Sequence, residues 1–141
     1  MILKYVALAS LVVLYSLMFI GGYISAAGLG LTCPEWPLCP NGILPDDEYM
    51  VEWIHRFVTG MILGPLCILQ WYLAFKRKER MPGVHAASIA ALVLVIVQGA
   101  MGMITVRYDN IPWSVAVHLI LAQALALSLL WAWIRWMAAE N

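Results

Sequence analysis

Four long apolar stretches, separated by short polar segments, limit the possible folds of this chain more than any other feature. They cover about residues 3–27, 50–75, 84–106 and 113–137, and are called spans 1 to 4. A membrane-spanning helix needs roughly 20 apolar residues. The chain is 64% hydrophobic and 11% charged, which is too little charge to cover a soluble domain. The sequence therefore predicts an all-α membrane protein, a single four-transmembrane-helix bundle over residues 1–141 in the cell membrane.

The distribution of basic residues predicts the orientation of the bundle. Six of the eight Lys and Arg residues lie on one side, and only Arg56 and Arg107 lie on the other. Because basic segments stay on the cytoplasmic side, the N- and C-termini are predicted to be cytoplasmic. The loop of about residues 28–49 then faces outward. The net charge is zero, so nothing indicates a nucleic-acid partner.

The outer loop contains two cysteines, Cys33 and Cys39. Outside the membrane they meet an oxidising compartment, where disulfides form and persist, so a Cys33–Cys39 disulfide is predicted. Two roles stay open: the pair holds the loop down, or it accepts and passes electrons. Cys67, inside span 2, is interpreted as a small packing residue.

Two histidines lie at the same depth in different spans. His55 is about five residues inside the outer end of span 2, and His118 is equally far inside span 4. At 1.5 Å per residue, both are roughly 8 Å below the outer boundary. Two such imidazoles are suited to be the axial metal ligands of one heme iron. Alternatively, each is a helix–helix hydrogen-bonding residue. His85 has no partner at its depth and is interpreted as an interfacial histidine.

Other residues of the spans fit the surroundings of a flat macrocycle. Arg56 and Arg107 lie near the outer boundary and are predicted to pair with the heme propionates, because guanidinium groups match carboxylate geometry. Gln98 either bonds across helices or faces the pocket. Pro65 is predicted to kink span 2. Room for the macrocycle is predicted at the small residues Gly60, Gly64, Gly99 and Gly102.

Glu52 has two interpretations. It is four residues before Arg56, so the two side chains suit an interfacial ion pair on one helical face. It is also one turn from His55, which suits a proton acceptor at the edge of a heme.

Several segments of the chain together resemble the heme A synthase family of membrane cytochromes. They are TCPEWPLC at 32–39, EWIHR at 52–56, QGAMGMITV at 98–106 and HL at 118–119, in that order over nearly the whole chain. Family members are oxidoreductases that oxidise one porphyrin methyl of heme O to the formyl group of heme A. The resemblance implies that His55 and His118 are the heme ligands, that Glu52 is catalytic, and that Cys33 and Cys39 are the family's outer cysteine pair.

The resemblance also implies cofactors and partners. They are heme b as cofactor, heme O as substrate, heme A as product, an electron acceptor, and heme O synthase or a terminal oxidase as a partner protein. The usual member has eight spans in two similar halves, and this chain corresponds to one half. With one heme site per chain, a homo-oligomer is expected, either with equivalent sites or with sites of divided role.

Three alternatives remain beside the synthase. A b-type electron-transfer cytochrome would use the same histidines but would not need the carboxylate of Glu52. A membrane thiol–quinone oxidoreductase would share the size and the outer cysteines, but the C-x5-C spacing and the second outer loop without cysteine argue against it. A structural or assembly subunit without heme is the third.

Overall fold

The computed structural model describes residues 2–40 and 45–140, so residues 41–44 of the predicted outer loop lie outside the described residues. Four helical stretches are long and apolar enough to cross a membrane. They are Ile2–Ala26 (span 1), Asp47–Phe75 (span 2), Pro82–Arg107 (span 3) and Pro112–Glu140 (span 4). The predicted all-α, multi-pass membrane fold is confirmed, and the orientation in the membrane stays a prediction.

The four spans form a ring in which each packs on its chain neighbours and span 1 closes on span 4. The contact between spans 3 and 4 is the most extensive. Among the described residues, the backbones of spans 2 and 4 do not come close to each other, and these spans stand on a diagonal of the ring, as do spans 1 and 3. Side chains that point inward from spans 2 and 4 therefore meet across the centre of the bundle.

Span 2 changes its helical geometry near its middle. The α-helix Met50–Val58 passes through a wider π-helical turn, Thr59–Leu63, into the α-helix Gly64–Phe75. Pro65 has no N–H and its ring would clash with the carbonyl of Met61 in a regular helix. The chain accommodates the proline by a hydrogen bond that reaches five residues back instead of four, from the N–H of Gly64 to the carbonyl of Thr59. Such turns occur often at functional sites, and this one begins four residues after His55.

Two compact turns end spans 1 and 3 at the end of the bundle that carries residues 27–40 and 45–49, here called the loop end. Gly28 has φ +70°, a conformation that glycine adopts without strain. The N–H of Leu29 then bonds to the carbonyl of Ile24 at 2.9 Å, which completes a Schellman motif. Asn110 and Thr105 make the same backbone bond at 2.9 Å after span 3.

The core of the bundle has two apolar clusters. The central cluster includes Cys67, which is 1% exposed, so its interpretation as a packing residue agrees with the structure. The second cluster surrounds Trp136 at the opposite end, here called the basic end because residues 76–80 lie there. No large apolar cluster fills the loop end in the described residues, and the histidines lie there instead.

Candidate functional site

His55 points from span 2 towards span 1. A Cβ atom added to Gly21 would lie 3.2 Å from Cε1 of His55, so the imidazole packs directly on the glycine backbone. The Nδ1 atom of His55 is buried and has no hydrogen-bond partner among the described residues. Its backbone carbonyl accepts a hydrogen bond from the hydroxyl of Thr59 at 2.7 Å, in the π-helical turn.

His118 is held in a similar way between spans 3 and 4. A Cβ atom added to Gly102 would lie 3.8 Å from Cε1 of His118. The side-chain amide of Gln98 donates to the backbone carbonyl of His118 at 3.1 Å, so Gln98 bonds across helices. Nδ1 of His118 is also buried without a partner in the part of the chain that the structure describes.

The two imidazoles come from spans that stand on a diagonal of the ring, and both lie at the loop end of the bundle. A buried polar atom without a hydrogen bond is costly, and here two such atoms come from two histidines at one end of one bundle. Neutral imidazole is a frequent metal ligand. Among residues 2–40 and 45–140, no group of three His, Cys, Asp or Glu side chains could hold a bare metal ion. A paired-histidine site for an iron that brings its own equatorial nitrogens, as heme does, fits this donor set.

Glu52 and Arg56 connect this site to the loop above it. Nη2 of Arg56 is 2.5 Å from Oε1 of Glu52, so the predicted i,i+4 ion pair is present. Oε2 of Glu52 accepts the backbone N–H of Cys33 at 3.1 Å and the hydroxyl of Thr32 at 3.2 Å. Arg56 donates to the carbonyls of Cys33 and Glu35 at 2.7 and 2.5 Å. The pair therefore fastens the cysteine loop to span 2.

A disulfide joins Cys33 and Cys39, as their predicted location outside the membrane indicated. The Cα atoms are 5.0 Å apart, and both residues are buried. The peptide bond between Trp36 and Pro37, within the ring closed by the disulfide, is cis. The loop is thus a compact cap whose inner side rests on Glu52 and Arg56.

Arg107 occupies a different position from Arg56. It ends span 3, is exposed, and lines a cavity of about 190 Å³ together with Pro34, Trp36 and Met103. The cavity lies between the cap and span 3. A carboxylate in it would meet one guanidinium, and the arginine's five N–H donors suit such a partner.

The small residues named from the sequence are only partly at the histidines. Gly102 borders His118, but a Cβ added to Gly60 or Gly99 would meet nothing within 4 Å. A Cβ added to Gly64 would meet the carbonyl of Thr59 at 3.5 Å. His85 lies at the basic end, 5.8 Å from the ring of Phe75 between centroids, and is not part of the site.

Two residues of the site escaped the sequence reasoning. Gly21, to which the sequence analysis gave no role, is the residue against which His55 packs. Gly21 lies about five residues from the loop end of span 1, and His55 lies about five residues from the loop end of span 2. This equal depth could have indicated that the two residues are neighbours. Thr32 is the first residue of the TCPEWPLC segment, but the sequence analysis gave it no role of its own.

Comparison with known proteins places the chain among heme-related membrane proteins. The sequence model of a family described as cytochrome oxidase assembly protein matches residues 46–141. The heme A synthase of Alkalihalophilus pseudofirmus is 32% identical over 102 residues, which cover 70% of this chain and 34% of the relative. The heme A synthase of Shewanella oneidensis is 28% identical over 73% of this chain and 36% of its own length.

The heme A synthase of Bacillus mycoides is 26% identical over 82% of this chain and 38% of the relative. The chain therefore spans about a third of the length of the curated relatives it matches. No solved structure matches it.

Proposed function

The chain belongs to the heme A synthase family of cytochrome oxidase assembly proteins, and from this premise we propose that it binds heme O and oxidises one porphyrin methyl to the formyl of heme A. The observation that carries the proposal is the pair of half-buried imidazoles on diagonal spans, each with a buried Nδ1 atom that has no hydrogen-bond partner among the described residues. His55 and His118 would be the axial ligands. Membership of the family and the multi-pass membrane location support the assignment.

We assign separate roles in heme binding and in proton transfer to residues of this chain. Gly21 and Gly102 let the two imidazoles lie directly against helix backbone, which fixes their planes before a ligand arrives. Arg107 at the cavity beneath the cap would hold one propionate. Arg56 would hold the other, because its contacts to Glu52 and the loop leave some of its five N–H donors for another oxygen. Glu52 would take a proton from the methyl or direct a water towards it.

The chemistry requires partners beside the chain. A bound heme O supplies the methyl group and the macrocycle through which electrons leave. With one water as the source of the oxygen, conversion of the methyl to the formyl releases four protons and four electrons, so the proposal includes an electron acceptor. A second copy of the chain would offer an equivalent site for heme b as cofactor. Heme O synthase, a terminal oxidase, or both would supply the substrate or take the product.

One observation favours a second candidate, a b-type electron-transfer cytochrome. Both carboxylate oxygens of Glu52 are already engaged, by Arg56 on one side and by Thr32 and Cys33 on the other. The carboxylate therefore stabilises the attachment of the cap to span 2, whether or not it also takes part in substrate chemistry. Its presence alone does not separate a synthase from an electron carrier.

The experiment that tests the proposal is purification of the protein from cells that make heme O, with a visible spectrum and mass identification of extracted hemes. The expected result is a low-spin, paired-histidine spectrum with heme O or heme A present. His55→Ala and His118→Ala should each lose most of the bound heme, whereas the matched control His85→Ala should keep it. Heme b alone, with no heme A formed, supports the cytochrome; full heme retention in both variants ends the proposal.

A further inference from the structure

The side of span 4 that faces away from the bundle carries a regular row of side chains, here called the outward stripe. Its members are Ala116, Ile120, Gln123, Leu127, Leu130 and Ile134, all exposed in the single chain. Their spacing of four and three residues is the 3.5-residue repeat with which helices pack along their length. The inward side of the same helix has the same kind of repeat, and it is buried in the bundle.

Gln123 is the polar exception in this stripe. Among the exposed residues from Trp113 to Ile134, it alone has a polar side chain other than the tryptophans at the two ends. It lies 11 residues after Pro112, the first residue of the helix, which is about 16 Å along the axis. The hydrocarbon core is about 30 Å thick, so the amide is near the middle of the membrane.

The amide of Gln123 has no partner within the described chain. The structure gives it no hydrogen bond among residues 2–40 and 45–140. The other two glutamines behave differently. Gln70 donates to the hydroxyl of Ser88 at 3.3 Å, and Gln98 donates to the carbonyl of His118. Lipid tails offer no hydrogen bonds, so an amide facing them is unfavourable, and glutamine in a span commonly bonds to another helix.

A groove beside the stripe has the shape to receive another helix. It lies between spans 1 and 4, has a volume of about 400 Å³, and is bordered by Leu11, Tyr15, Gln123 and Leu127, among others. The ridge formed by Ile120 and Leu127, each 66% exposed, stands next to it. A surface that presents a ridge and a groove side by side can pack on a copy of itself rotated by 180°.

We infer that two copies of this chain associate through the outward stripes of their fourth spans, with the two Gln123 amides hydrogen-bonded to each other at the centre. An amide both donates and accepts, so glutamine is complementary to itself across a two-fold axis. A single polar residue in an otherwise apolar seam fixes which residues face each other. This inference rests on the proposed function, because the proposed function is what calls for a second copy of the chain.

The arrangement has a consequence for the two heme sites. The stripe is opposite the side of span 4 that carries His118, since positions 118 and 120 are about 200° apart around the helix. The two sites would therefore lie on either side of a central pair of span 4 helices. Each chain keeps its own complete pair of histidines, and the dimer has two equivalent sites.

Cysteine cross-linking in native membranes tests the contact. In a Cys67→Ala background, Ile120→Cys and Leu127→Cys should each give a covalent dimer on mild oxidation. Ile96→Cys is the matched control, because Ile96 is equally exposed at 66% on span 3 and is also 11 residues from the loop end of its helix. It should stay monomeric. Cross-linking at position 96 equal to that at 120 and 127, or none at either stripe position, overturns the inference.

The role of the amide is tested by the dimer dissociation constant of the full chain in detergent, measured by energy transfer between labelled copies. Gln123→Leu should raise it at least tenfold, and Gln123→Asn should restore part of the loss. An unchanged constant for Gln123→Leu contradicts the inference.

The heme spectrum separates this inference from the function. A monomer with a paired-histidine spectrum overturns the interface and leaves the proposed function intact. A stripe-linked dimer that binds no heme supports the interface and overturns the function.

Discussion

The carboxylate of Glu52 accepts the backbone N–H of Cys33 at 3.1 Å. This single contact joins the first turn of span 2 to the start of the disulfide-closed cap. Because Glu52 is buried and is also paired with Arg56, the cap, the ion pair and His55 one turn below form one connected unit. Changes in the cap are therefore expected to reach the histidine, and changes at Glu52 to reach the disulfide.

The first prediction concerns protection of the disulfide. Glu52→Ala removes the acceptor for Cys33 and Thr32 and leaves Arg56 without its ion-pair partner. Hydrogen bonds to charged groups contribute about 1.5–3 kcal/mol, so reduction of Cys33–Cys39 by dithiothreitol should become roughly tenfold faster or more. The measurement is thiol labelling against time. Glu48→Gln, an exposed carboxylate of the same segment, is the control, and an equal rate in both variants would contradict the anchoring role.

The second prediction separates chemistry from anchoring at Glu52. Thr32→Val loosens the same cap by removing one bond to the carboxylate, but keeps the carboxylate. If Glu52 handles a proton, Glu52→Ala should keep bound heme and stop heme A formation, whereas Thr32→Val should retain most conversion. Both are read by mass analysis of extracted hemes. Equal loss in the two variants would assign Glu52 a positioning role, and normal heme A output from Glu52→Ala would remove it from the mechanism.

The third prediction uses the closeness of His55 to span 1. An added methyl at Gly21 meets the imidazole at 3.2 Å, whereas one at the adjacent Gly22 meets nothing within 4 Å. Gly21→Ala should displace the ring, and since overpacking costs about 1–3 kcal/mol, heme affinity should fall roughly tenfold. Gly22→Ala should bind heme normally. Heme titration of the purified variants gives both values, and equal affinities would show that His55 tolerates displacement or is not a ligand.

The corresponding glycine beside His118 is Gly102, where an added methyl would cause a smaller perturbation. An added methyl at Gly102 would be in ordinary contact with His118, at 3.8 Å. Gly102→Ala should therefore weaken heme binding much less than Gly21→Ala does. The same titration ranks the two, and the reverse order would contradict the geometry.

The fourth prediction concerns Gln98, which bonds span 3 to the carbonyl of His118. Gln98→Leu removes this bond and the buried amide together, and a neutral hydrogen bond contributes about 1 kcal/mol. The expected result is a modestly lower midpoint of thermal unfolding in detergent with the heme spectrum kept. Gln70→Leu, which removes the buried amide bonded to Ser88 away from the histidines, is the control for loss of an interhelical amide bond. Loss of heme from Gln98→Leu would mean that the bond positions the imidazole rather than the helix.

Much of the architecture could be predicted because membrane insertion is a local property of the sequence. A continuous apolar run of sufficient length crosses the bilayer as a helix, since a helix satisfies the backbone hydrogen bonds of the run within the run itself. Depth follows from counting residues along each helix, which brought His55 and His118 to one level. The cysteine pair could be predicted from its place outside the spans.

The directions in which the side chains point were decided by the tertiary structure. In a soluble helix an apolar stripe marks the buried face, but lipid is as apolar as leucine, so spans 1 to 4 carry little such signal. The diagonal placement of spans 2 and 4, the contact of Gly21 with His55, and the outward direction of Gln123 depend on how four nearly uniform helices pack. Glu52 shows the same limit: its spacing predicted a pair with Arg56, but only the fold brought the cysteine loop onto its second oxygen.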